Sequence, residues 1–99
     1  MELDHVLDIL RRNKAMLRDV GVLHAGVFGS VARGEADDLS DVDIVVRMDD
    51  DRRIGLTGLL KLEDMLRRLL ASDVSVVPEP VRFHPRLRAA IEAERVAAF

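Results

Sequence analysis

The sequence predicts a small α/β domain in which helices pack around a short sheet. Three observations lead there. Two long stretches carry apolar residues at helical spacing. Short runs rich in Val and Ile lie between and after them. The two kinds of segment alternate in the order α-β-(α)-β-α-β-α, which suits a layered arrangement of sheet and helix.

Leu3, Val6, Leu7, Leu10 and Leu17 recur with Arg11, Arg12, Lys14 and Arg18 between them, so residues 2 to 20 read as one amphipathic helix. Gly21 is its expected stop. Leu23, Ala25 and Val27 alternate with Val22, His24 and Phe28, the pattern of a strand ending at Gly29. Residues 30 to 40 should open with a helical turn and continue as an exposed polar loop. Val42 to Val46 is a second, β-branched strand. Asp49 to Arg53 is a charged turn. Residues 55 to 71 form a second long helix, with Leu56, Leu59, Leu60, Leu62, Met65, Leu66, Leu69 and Leu70 as its apolar side chains. Val74 to Val77 is a third strand, stopped by Pro78 and Pro80. Pro85 suits the first turn of a last helix, which points Leu87, Ala90 and Ile91 inward.

Composition sets limits on function. Ninety-nine residues suffice for one core, so a single domain over 1–99 is expected. With 48 % hydrophobic and 33 % charged residues the chain should be globular. It has no Cys, which excludes disulfides and thiolate metal sites. No apolar run approaches the roughly 20 residues that span a bilayer, and the acidic start Met1-Glu2-Leu3-Asp4 is unlike a signal peptide. A cytoplasmic protein without a membrane partner is expected. The net charge of −3 disfavours nucleic acid as a partner. Between Glu35 and Asp51 eight acidic residues face a single Arg47, which would repel any polyanion not escorted by cations.

Two short motifs carry chemistry. Phe28-Gly29-Ser30 places a glycine at the end of a strand and a hydroxyl at a possible helix start. Glycine lets a phosphate approach the backbone, and the hydroxyl with free N–H groups can donate to it. Asp41-Val42-Asp43 opens the second strand. Residues i and i+2 share a face about 6.6–6.8 Å apart, so both carboxylates can lean toward one cation. Mg²⁺ suits such a pair, since it takes hard oxygen ligands from one or two carboxylates and substrate phosphates. His5, His24 and His84 lack metal-ligand spacing and are expected at the surface or in ordinary packing. No G-x-S-x-G elbow is present.

Gly29-Ser30, ten intervening residues and then Asp41-Val42-Asp43-Ile44 resemble the signature of the minimal nucleotidyltransferases of the DNA polymerase β superfamily. Ala32-Arg33-Gly34-Glu35 and Ser40 strengthen the likeness, which covers nearly the whole chain. The resemblance implies the nucleotidyltransferase fold, with a small mixed sheet of three or more strands. It implies that Gly29 and Ser30 hold the β- and γ-phosphates of ATP and that Asp41 and Asp43 ligate one or two Mg²⁺ ions. The reaction implied is attack of an acceptor hydroxyl on the α-phosphate, with transfer of AMP and release of pyrophosphate. Arg33 either adds positive charge at the phosphates or braces the loop by pairing with an acidic side chain such as Glu35.

The family's third carboxylate lies on its third strand. Ser75 occupies that position here, and Asp73 lies two residues earlier on the same face. Asp41, Asp43 and Asp73 are therefore the candidate catalytic set; Asp73 either enters through a shift in strand register or caps the turn between the preceding helix and the strand. Serine is neither a base nor a strong Mg²⁺ ligand near neutral pH. Two functions of different class remain open: a protein adenylyltransferase, and an antitoxin-like module that neutralises its partner by contact alone. The resemblance names that partner as a helical HEPN-type toxin.

Overall fold

The computed structural model describes all residues, 1–99. Helices α1 (Leu3–Arg12) and α2 (Lys14–Asp19) replace the single helix expected over 2 to 20. The break is at Asn13, whose side-chain amide donates to the Ile9 carbonyl at 2.8 Å, alongside its own backbone N–H at 3.2 Å. Asparagine competes in this way for helix carbonyls, which explains the interruption. The apolar stripe survives it, since Val6, Leu7, Leu10 and Leu17 are all buried.

Strand β1 (Val22–Phe28) is followed by the short helix α3 (Gly29–Arg33) and strand β2 (Val42–Met48). A 3₁₀ turn at Asp50–Arg52 leads into α4 (Gly55–Leu70) and β3 (Val74–Glu79). Helix α5 (Pro85–Glu94) and strand β4 (Val96–Ala97) complete the chain. The sheet has four strands in the order β3-β2-β1-β4, with β1 antiparallel to β2 and β4, and β2 parallel to β3. The α/β class, the mixed sheet and each predicted strand are as the sequence implied.

Three details differ from the sequence reading. A bulge between Val22 and His24 shifts the β1 register, so Val22, Ala25 and Val27 are buried while Leu23 is exposed. Strand β3 runs through Pro78 instead of stopping there. It is an edge strand, and one side of its ladder is unpaired, so a missing N–H is tolerated. Strand β4 escaped the sequence reading because two residues carry no periodicity. Arg11 holds it from α1, donating through Nε to the Ala98 carbonyl at 2.8 Å and through Nη2 to that of Ala97 at 3.1 Å.

The two faces of the sheet are covered unequally. One face presents Ala25, Val27, Val42, Ile44, Val46 and Val74 to α1, α2 and α4, forming a core of 16 buried residues. On the other face only Phe28, Val45 and Ile91 are buried together, under α5. Asp43 and Ser75, which share the face of Val45, are therefore only half-buried, and Asp41 is exposed. Function has room on this second face.

Candidate active site

The Gly29 turn and the second carboxylate of Asp41-Val42-Asp43 are in direct contact. Phe28 pairs with Asp43 across the β1–β2 ladder, which brings the end of one strand beside the start of the other. Gly29 has φ +74°, a conformation that L side chains rarely adopt. A Cβ built on it would stand 2.2 Å from Asp43 Oδ2. Glycine is thus required twice, for its backbone angle and for the carboxylate against it. Helix α3 is only five residues long, too short for much of a macrodipole. A phosphate at this turn would rest on the Ser30 hydroxyl and nearby donors more than on a helix end.

The electrostatics mark Asp43 as strained. Its pKa is raised above the ordinary value, mainly by burial and then by the charge of Asp41, with Glu94 adding to the effect and Arg33 opposing it. Two carboxylates close together on one strand face are a natural seat for a cation, which offsets their repulsion. No trio of His, Cys, Asp or Glu side chains converges anywhere in the chain. The donor set is then two carboxylates, which fits Mg²⁺ if nucleotide phosphates and water complete its shell.

Arg33 braces the loop by pairing with acidic side chains, one of the two alternatives its position offered. Its Nε donates to Glu35 Oε2 at 3.0 Å, and its Nη1 donates to Glu94 Oε1 at 3.0 Å and Oε2 at 3.1 Å. Hydrogen bonds to Glu35 and then Glu94 raise its pKa. Glu94 was not foreseen. It stands 65 residues from Gly29, yet its Oε2 also accepts the Gly29 N–H at 3.1 Å. The only sequence signal was its spacing of three from Ile91, an inward residue of α5.

The register of β3 places Ser75 beside Asp43 and Val74 beside Val42. Asp73 precedes the strand, is exposed, and its carbonyl accepts the Val42 N–H at 3.0 Å. It lines an open hollow of about 570 Å³ together with Asp38, Ser40, Arg67 and Ser72. The structure thus brings Gly29, Ser30, Arg33, Asp41 and Asp43 to one end of the sheet and sets Asp73 one step aside. His5, His24 and His84 are exposed and away from the site, as expected.

Residues 6–98 match the nucleotidyltransferase domain family. A solved structure described as a minimal nucleotidyltransferase superposes with a TM-score of 0.76 at 32 % identity, covering 97 % of this chain and 95 % of that one. This chain belongs to the minimal nucleotidyltransferase family. It is similar to the protein adenylyltransferase MntA of Thermococcus cleftensis, with 41 % identity over 78 residues, 78 % of this chain and 77 % of that one. It is also similar to a Methanocaldococcus jannaschii protein provisionally named a protein adenylyltransferase, with 30 % identity over 95 residues and 95 % of each chain covered. A toxin–antitoxin crystal structure with AMP-PNP shares the nucleotidyltransferase fold. Its TM-score is 0.73 at 23 % identity, over 92 % of this chain and 72 % of that one.

Proposed function

We propose that this chain is a Mg²⁺-dependent adenylyltransferase that moves AMP from ATP to a hydroxyl on a partner protein. The contact between the Gly29 turn and the Asp43 carboxylate carries the reading, because it joins a phosphate-binding turn to a cation seat in one place. Asp41 and Asp43 would hold Mg²⁺, which when bound offsets their repulsion and supplies positive charge to the triphosphate. Ser30 donates its hydroxyl to the β- and γ-phosphates, and Arg33 adds a fixed positive charge at the same end. The acceptor hydroxyl gives up its proton, to Asp73 or to solvent, as its oxygen bonds to the α-phosphorus; the bond from that phosphorus to the bridging oxygen breaks, and pyrophosphate leaves. Asp73 is the candidate third carboxylate, acting from its hollow on the acceptor side.

The relatives support the choice of AMP, since two are named protein adenylyltransferases. The toxin–antitoxin neighbour supports a toxin partner, and a helical HEPN-type protein is the partner we assign. The chain would then act in the cytoplasm as an antitoxin. One observation favours the second reading, neutralisation by contact alone: Ser75, not a carboxylate, stands beside Asp43.

The deciding experiment incubates the protein with labelled ATP, Mg²⁺ and the product of the adjacent gene. Transfer predicts a mass gain of one AMP on the partner, lost in Asp41→Asn/Asp43→Asn, and rescue from toxicity lost with it. A double mutant that rescues as well as the wild type would establish contact neutralisation instead.

A further inference from the structure

We propose that Glu94 is a positioning residue of the nucleotide site: its single carboxylate ties the Gly29 turn to Arg33 and so sets where the guanidinium stands relative to Asp43. The inference rests on reading this end of the sheet as the nucleotide site.

Glu94 is placed by packing on both sides of it. Three residues earlier Ile91 is buried with Phe28 and Val45, and Phe28 immediately precedes Gly29. One residue later Arg95 pairs with Glu79 at the end of β3, its Nη2 donating to Oε2 at 2.9 Å. The last turn of α5 is thus pinned between β1 and β3, and the Glu94 side chain, 24 % exposed, has little freedom. Its Oε2 accepts from both the Gly29 N–H and Arg33 Nη1, and its Oε1 accepts from Nη1 as well.

Two consequences follow from this sharing. The Gly29 N–H is already taken by Glu94, so the glycine serves the site by admitting Asp43, while phosphate contact falls to Ser30 and Arg33. Glu35 engages Arg33 at Nε and Glu94 engages it at Nη1, leaving Nη2 with both of its hydrogens free. A guanidinium held by two carboxylates is restrained, and its free edge favours one orientation. Loss of Glu94 would release both the turn and the arginine, although Glu94 itself touches no phosphate.

Calorimetry of Mg²⁺–ATP binding to the full chain tests this, with thermal melting of each variant as the control. Glu94→Ala should weaken binding roughly tenfold, the low end for losing a residue that orients a ligand. Glu94→Gln keeps the shape and one acceptor oxygen, and should fall between Glu94→Ala and wild type while melting like wild type. Arg33→Ala should weaken binding similarly, and the loss in Arg33→Ala/Glu94→Ala should be clearly less than the sum of the two single losses, because Glu94 acts in part through Arg33 and in part through the Gly29 turn. Additive losses, or unchanged binding in both Glu94 variants, overturn the proposal while leaving the nucleotide site intact. Tighter binding in Glu94→Gln also overturns it, and makes the carboxylate a competitor of the phosphates. A wild type that binds no Mg²⁺–ATP overturns this inference together with the reading beneath it.

Discussion

Gly29 and Asp43 form the tightest coupling in the site, and each can be tested alone. Gly29→Ala forces a left-handed backbone on alanine and drives a methyl group into the Asp43 carboxylate. We expect a loss of about 1–3 kcal/mol in urea unfolding, together with loss of metal-dependent nucleotide binding. For Asp43 the pKa shift sets the sign. Its native carboxyl holds a proton to higher pH than the unfolded chain, whose value is near the ordinary 3.8. As pH rises past that value the unfolded state ionises first, and the folded state loses stability until Asp43 ionises too. Asp43→Asn should therefore melt higher than wild type at neutral pH in EDTA, with the advantage disappearing as pH falls below the carboxylate range. An unchanged gap at pH 3 would show that charge is not the cause. Gly29, Ser30, Asp41 and Asp43 were legible in the sequence because strand ends and a period of two fix which side chains share a face. Glu94 was hidden, since nothing in the spacing of α5 shows which strand end lies beneath it.

At the scale of elements, β3 decides how complete the site is. The register that sets Ser75 level with Asp43 makes Ser75→Asp the direct test. A third carboxylate there should lower the melting temperature in EDTA, recover it in Mg²⁺, and leave transfer equal to wild type or higher. Loss of transfer in both Ser75→Asp and Asp73→Ala would instead make Asp73 the working group. Helix α4 divides along its length. Leu62, Leu66 and Leu70 are buried, whereas Leu56 and Leu60 are 73 % and 58 % exposed. Leu66→Ala should cost about 2–5 kcal/mol and Leu56→Ala no more than about 0.5 kcal/mol, as read by denaturant midpoints. The run of leucines predicted the helix but not this division, because spacing reports a helix face and not where a neighbouring element ends.

For the whole molecule, the division of labour between the two sheet faces is what lets 99 residues hold both a core and a site. The face against α1, α2 and α4 supplies nearly all the buried apolar surface. The face under α5 is free to hold charge at its open end, where Asp41 and Asp43 sit beyond the cover of Ile91. This asymmetry was half legible: the apolar positions of every strand could be assigned, but α5 gave no sign of covering one face alone. No helix is long and apolar enough to cross a membrane.

So small a sheet also has a long unprotected border, and Pro78 changes what that border can do. Strand β3 lies at the rim with Val74, Val76 and Val77 in its path, a β-branched stretch of the kind that recruits identical strands. A proline there interrupts the outward row of donors and acceptors, so a second molecule cannot extend the ladder along the full strand. Pro78→Val should leave the monomer folded and make it prone to edge-to-edge aggregation. Light scattering and thioflavin fluorescence at high concentration would reveal this, and equal solubility of the two proteins would remove Pro78 from that guarding role.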